Sequence, residues 1–180
     1  MDVIKKILLN EEQLDTIVSK IASDIDRDYK DETKHLLLLC ILKGSVVFMG
    51  DLMKKINVPV EIDFMKVSSY GSGTKSKGTV NLMLDLHRND IAECDILIVE
   101  DIIDSGRTLK YLTDYLLHKG AKSVKTCTLL DKPSRRSVDF NADYVGAEIP
   151  DEFVVGYGLD YDEKYRDLPF VGILKPEIYS

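Results

Sequence analysis

The chain has 180 residues, 44% hydrophobic and 31% charged, which suits one globular domain with a continuous core and leaves little for a second. Acidic residues outnumber basic ones 31 to 24, so the overall field repels nucleic acid and anionic membranes, and an anionic ligand must be held locally by amides, a few cations or a metal. No apolar stretch approaches the roughly 20 residues that span a bilayer, and Cys40, Cys94 and Cys127 lack metal-ligand spacing, which points to a soluble protein of the reducing cytoplasm.

Residues 1–10 offer only a brief apolar patch. Asn10 with Gln13 three residues later resembles a capping box, and Leu14, Ile17, Val18, Ile21 and Ile25 follow at the spacing of an amphipathic helix. Apolar runs suited to buried strands occupy residues 35–42, 61–67, 95–98 and 124–130, with shorter ones around Tyr144 and Phe153. Helical patterns lie between them at 45–56 and 109–119, the second stopped by Gly120. Strands alternating with helices give an α/β fold with a mainly parallel sheet covered on both faces. In such sheets ligands bind beyond the carboxyl ends of the strands, which directs attention to the turns after Leu42, Val67, Ile103 and Leu130. Residues 68–78, rich in Gly, Ser, Thr and Lys, read as a loop.

The strongest signal is Val99-Glu100-Asp101-Ile102-Ile103-Asp104-Ser105-Gly106-Arg107-Thr108-Leu109, a buried strand running into a polar turn and then a helix. A helix N-terminus offers free amides and a positive dipole end, Gly106 lets the backbone wrap an anion, and Ser105 and Thr108 add hydroxyl donors. Neither the Walker loop nor the dinucleotide-binding glycine pattern is present. The adjacent Glu100 and Asp101 would repel a bare phosphate, so hydroxyl groups or a divalent cation must accompany it, and a phosphorylated ribose answers both needs. Taken singly, Asp104 or Ser105 would be a helix cap, Phe153 a core residue, and Asp160 and Arg166 surface charges.

The eleven-residue segment resembles the signature of the type I phosphoribosyltransferases, in the form of the hypoxanthine-guanine branch, and the resemblance runs from about Leu42 to the C-terminus. It implies a single domain over 1–180 with a small base-binding hood formed by the N- and C-terminal segments. It further implies transfer of a phosphoribosyl group from 5-phosphoribosyl 1-diphosphate to N9 of hypoxanthine or guanine, with magnesium as cofactor and a homodimer or homotetramer as assembly. Phosphate and ribose fall to Glu100, Asp101, Asp104, Ser105, Gly106, Arg107 and Thr108. Asp104 is the expected general base, and Glu100, Asp101 and Asp160 the expected metal ligands. Leu42-Lys43-Gly44 resembles the family's pyrophosphate loop, with a cis peptide before the lysine, and Arg166 joins it. Lys132, Phe153 and Val154 match the purine-binding positions, with Asp160 beside them; Ser69 and Tyr70 open the expected lid. Glu152 and residues 73–78 depart from the family pattern. The rival reading is a regulator of the same fold that senses phosphoribosyl diphosphate and binds nucleic acid, but such a protein needs a basic face or an added DNA-binding segment.

Overall fold

A computed structural model describes residues 3–31, 35–69 and 80–179. In chain order the elements are β1 (Ile4–Leu9), α1 (Glu11–Asp28), β2 (His35–Leu42), α2 (Val46–Lys55), β3 (Val60–Ser69), β4 (Val80–Leu84), β5 (Cys94–Ile103), α3 (Arg107–His118), β6 (Ser123–Asp131), β7 (Tyr144–Glu148), β8 (Val154–Val155), β9 (Val171–Leu174) and α4 (Pro176–Tyr179). The capping box forms as the sequence implies: Asn10 Oδ1 accepts from Gln13 N, and Gln13 Oε1 accepts from Asn10 N, each at 2.9 Å. Two orphan amides of α1 are thereby satisfied.

The main sheet runs β4-β3-β2-β5-β6-β7. All its pairings are parallel except β3 with β4. Its central strands are apolar on both faces because both are covered, and alternate residues serve opposite layers. Leu36, Leu38, Cys40, Leu97, Val99, Cys127 and Leu129 pack toward α1 and α2, while Leu37, Leu39, Ile41, Ile96 and Ile98 pack toward α3. Burying each Leu or Ile in this way contributes about 1.5–3 kcal/mol, so the two layers fix the strand register.

A second sheet, ordered β1-β9-β8 and antiparallel, joins the two ends of the chain. Strands β1, β4 and β9 escape the sequence reading. β1 exposes consecutive residues rather than alternate ones, and β9 has only four residues. The expected loop at 68–78 needs correction at its start, because Ser68 and Ser69 extend β3 and pair with Asn81 and Val80 of β4. The remainder of that loop, including Tyr70 of the expected lid, lies outside the described residues. Among the described residues no helix is long and apolar enough to cross a membrane.

Candidate functional site

The parallel strands β2, β5 and β6 end on one edge of the sheet, where a cleft of about 400 Å³ opens. Its floor is the end of β5, with Glu100 and Asp101; its walls are Lys43-Gly44 after β2 and the turn Asp104-Ser105-Gly106 leading to Thr108 of α3. The Leu42–Lys43 peptide is cis, in agreement with the sequence expectation. Gly44 sits so close to the Asp101 carboxylate that a Cβ on it would stand 1.6 Å from Oδ2. Only glycine lets this turn approach that carboxylate.

Glu100 and Asp101 are sequence neighbours that both line the cleft. Burial first, and the Asp101 charge second, push Glu100 well above the ordinary carboxyl range, and burial pushes Asp101 up to about 6. Burial and mutual repulsion disfavour two bare carboxylates at the floor of a cleft, and a cation beside them would relieve both. At the cleft wall, Gly106 takes the N-cap of α3 with φ 79° and provides no capping side chain. Amides at that helix N-terminus therefore remain available to an anion. A Cβ on Gly106 would meet Arg136 Cδ at 2.9 Å.

Opposite this turn, residues 156–168 form a compact coil that carries the remaining charges. Arg166 donates to Gly158 O at 2.8 Å and pairs with Asp160 at 2.9 Å and Glu163 at 3.6 Å. Its buried Nε has no protein acceptor among the described residues. Glu163 also pairs with Lys43 at 2.6 Å, joining the coil to the turn after β2. Gly158, at φ 100°, abuts Gly44 O, which a Cβ would meet at 2.1 Å.

Beside Asp104, the turn after β6 brings Lys132 to the carbonyl of Glu152, 2.7 Å from Nζ. Burial lowers the Lys132 pKa, with Asp104 and Asp151 opposing. Phe153 follows Glu152 and keeps 37% of its surface exposed, with Tyr179 stacked at 4.9 Å and Tyr161 edge-on at 5.6 Å. It is not a core side chain. Val154 is buried in β8, paired to Ile173. A larger hollow of about 1030 Å³ lies between α1, α2 and residues 166–169. Its lysines are already paired, Lys54 with Asp51 and Lys55 with Asp15, and it lacks both the carboxylate pair and the helix N-terminus of the cleft.

Against this geometry, the profile of the phosphoribosyl transferase domain matches residues 6–162. The chain belongs to the phosphoribosyl transferase family. It is 51% identical over 177 residues to a hypoxanthine-guanine phosphoribosyltransferase of Streptococcus thermophilus, covering 98% of this chain and 97% of that one. It is equally identical to the bifunctional protein TilS/HprT of Listeria monocytogenes, but spans only 27% of that protein's length. The crystal structure of a hypoxanthine phosphoribosyltransferase from Staphylococcus aureus superposes with a TM-score of 0.93 at 49% identity, covering 99% of this chain and 96% of that one.

The family signature at residues 99–109 thus lies on the strand, turn and helix that shape the cleft. Lys43, Gly44, Asp160 and Arg166 join it there, and Lys132 and Phe153 form an adjoining patch. One residue stands apart from its expected place: Arg107 turns its guanidinium to Ser137 Oγ, 2.9 Å away, and does not line the cleft. What it brings to an anion is a backbone amide, which lies 3.4 Å from Ser105 Oγ. Sequence reasoning missed Glu163, Arg135 and Tyr179. Arg135 donates to Asp104 Oδ1 at 3.1 Å, a contact across 31 residues that carries no local sequence signal. Ser69 ends β3, its backbone paired with Val80 of β4.

Proposed function

We propose that the chain transfers the phosphoribosyl group of 5-phosphoribosyl 1-diphosphate to N9 of hypoxanthine or guanine, releasing pyrophosphate in purine salvage. The observation that carries this reading is the convergence on one cleft of an acidic pair, an uncapped helix N-terminus and two cations, beside an exposed aromatic ring and a half-buried lysine.

In this reading the 5-phosphate is held by residues 104–108, and the ribose hydroxyls face Glu100 and Asp101. Lys43, Gly44 and Arg166 receive the diphosphate. Phe153 stacks on the purine while Lys132, a donor only, serves its exocyclic oxygen and the backbone at Val154 meets the base edge. As N9 attacks the anomeric carbon and the bond to pyrophosphate breaks, the proton on N7 passes to the Asp104 carboxylate. Arg135 Nε donates to Asp104 Oδ1 and orients that carboxylate. The expected lid, with Ser69 and Tyr70, would exclude water from the electron-poor sugar.

The raised Glu100–Asp101 pair fits a divalent cation, because the cation would stabilise both carboxylates. Magnesium, when bound there, neutralises charge on the diphosphate and on the departing pyrophosphate. Asp160 is the weaker ligand, since Arg166 already pairs with it. We read residues 1–180 as one domain, with the β1-β9-β8 sheet as its base-binding hood, acting as a homodimer or homotetramer. A cytoplasmic location fits three free, buried cysteines.

The test is to mix the chain with phosphoribosyl diphosphate, magnesium chloride and each free purine, following absorbance. Nucleotide formation with hypoxanthine or guanine and little with adenine is expected. No product with any base would overturn the reading.

A further inference from the structure

Glu163 belongs to neither the acidic pair nor the base-binding patch, yet its carboxylate stands between the two cations of the pyrophosphate side of the cleft. A single oxygen, Oε2, lies 2.6 Å from Lys43 Nζ and 3.6 Å from Arg166 Nη2. The backbone fixes it there. Glu163 N donates to Asp160 Oδ2 at 2.9 Å, and reciprocal bonds between Tyr161 and Lys164 close the turn around it. Glu163 itself takes φ 63°, a conformation that L side chains seldom adopt. A side chain 65% exposed thus reaches across the cleft mouth to a lysine 120 residues away. That lysine's hydrogen bond holds the Glu163 carboxyl below its ordinary range, so it is ionised at neutral pH.

We infer that Glu163 is an internal counter-anion of the diphosphate site, occupying Lys43 and Arg166 when no diphosphate is bound and yielding them when one arrives. The inference rests on the proposed function and adds to it. A carboxylate and a diphosphate oxygen are both anionic acceptors, and two anions contending for the same donors repel one another. The incoming donor substrate must displace the carboxylate, and the carboxylate recaptures both cations as pyrophosphate leaves. The same residue therefore weakens capture of the substrate and eases release of the product. Because the pair is exposed, the effect is modest, about two- to fivefold in affinity.

The direction of the effect separates this role from simple structural support. With the full-length chain and magnesium chloride, calorimetric binding of inorganic pyrophosphate is compared between wild type and Glu163→Gln, which keeps the shape and removes the charge. Steady-state transfer is measured alongside. The expected result is that the Kd for pyrophosphate and the KM for phosphoribosyl diphosphate both fall by about two- to fivefold, while the KM for hypoxanthine is unchanged. The gain shrinks as potassium chloride is added, since exposed charges are screened, and it shrinks again in a Lys43→Met background. Unchanged or weaker pyrophosphate binding by a variant with the wild-type circular dichroism spectrum overturns the inference. A wild-type chain that neither binds pyrophosphate nor forms nucleotide overturns the functional reading first, and the inference with it.

Discussion

Gly44 and Asp101 illustrate how a residue without a side chain defines the chemistry of one that has it. The Asp101 carboxylate occupies the volume where a Cβ on residue 44 would stand, 1.6 Å from Oδ2. Either the carboxylate or the turn must give way when a methyl group is added. Since misplacing a reacting group by about 1 Å can cost about 10²-fold in rate, Gly44→Ala is expected to lower kcat/KM by about 10²-fold or more. Its magnesium requirement should rise, because Asp101 is one of the proposed ligands. Steady-state assays over a magnesium series check this, with circular dichroism as the control for folding. Near-normal kinetics at low magnesium would mean that the turn relaxes freely and that Asp101 is not held by this contact. From sequence, Lys-Gly after a strand is an ordinary turn; its contact with Asp101 spans 57 residues and becomes visible only when β2 and β5 lie side by side.

At the scale of elements, the connection after β6 ties the base-binding segment to the main sheet. Lys132 N bonds Ile103 O at 2.9 Å and its Nζ reaches the carbonyl of Glu152, so one residue links the ends of β5 and β6 to the segment that presents Phe153. An ammonium has three protons, and one carbonyl leaves donors for the oxygen of a 6-oxopurine, whereas adenine would set an amino group against them. Lys132→Ala should therefore reduce catalytic efficiency with hypoxanthine and guanine far more than with adenine, and the ratio of oxopurine to adenine activity is the measurement. An unchanged ratio would assign Lys132 a purely structural role.

The elements that carry these groups were legible in the sequence for physical reasons. β2 and β5 are continuous apolar runs because both faces are buried, and α1 bears its cap and stripe in sequence order. β1 and β9 were harder, because they pair with each other from opposite ends of the chain and their stability depends on that pairing rather than on local pattern. The same distinction applies to the site. The acidic pair and the helix N-terminus lie within eleven residues, whereas Arg135 and Glu163 act through partners that the fold supplies.

Across the whole molecule, the sheet has a functional edge and a structural one. The carboxyl ends of the parallel strands form the cleft; the amino ends carry an ion-pair network built on Arg88. This guanidinium donates to both Asp90 oxygens, at 2.9 and 2.7 Å, and to Glu61 at 2.6 Å, while His35 pairs with Glu61 at 2.5 Å. His35, Asp90 and Cys94 bring potential ligand atoms within 4.8 Å of one another, but Arg88 already supplies the cation that Asp90 needs. The Arg88 hydrogen bond holds Asp90 at about 2, against an ordinary 3.8, and likewise lowers Glu61 from 4.5. Both folded values lie below the unfolded ones, so in the interval between them the unfolded chain binds more protons, and stability rises with pH. The contribution is complete above the unfolded values and is lost as pH falls through the folded ones. Arg88→Gln is therefore expected to be less stable than wild type near neutrality, with the difference constant down to about pH 5 and shrinking steadily toward about pH 2. Urea unfolding of both proteins across this range measures the difference directly. A gap that stays the same at every pH would place the effect of Arg88 in packing of its aliphatic stem rather than in its hold on the two carboxylates.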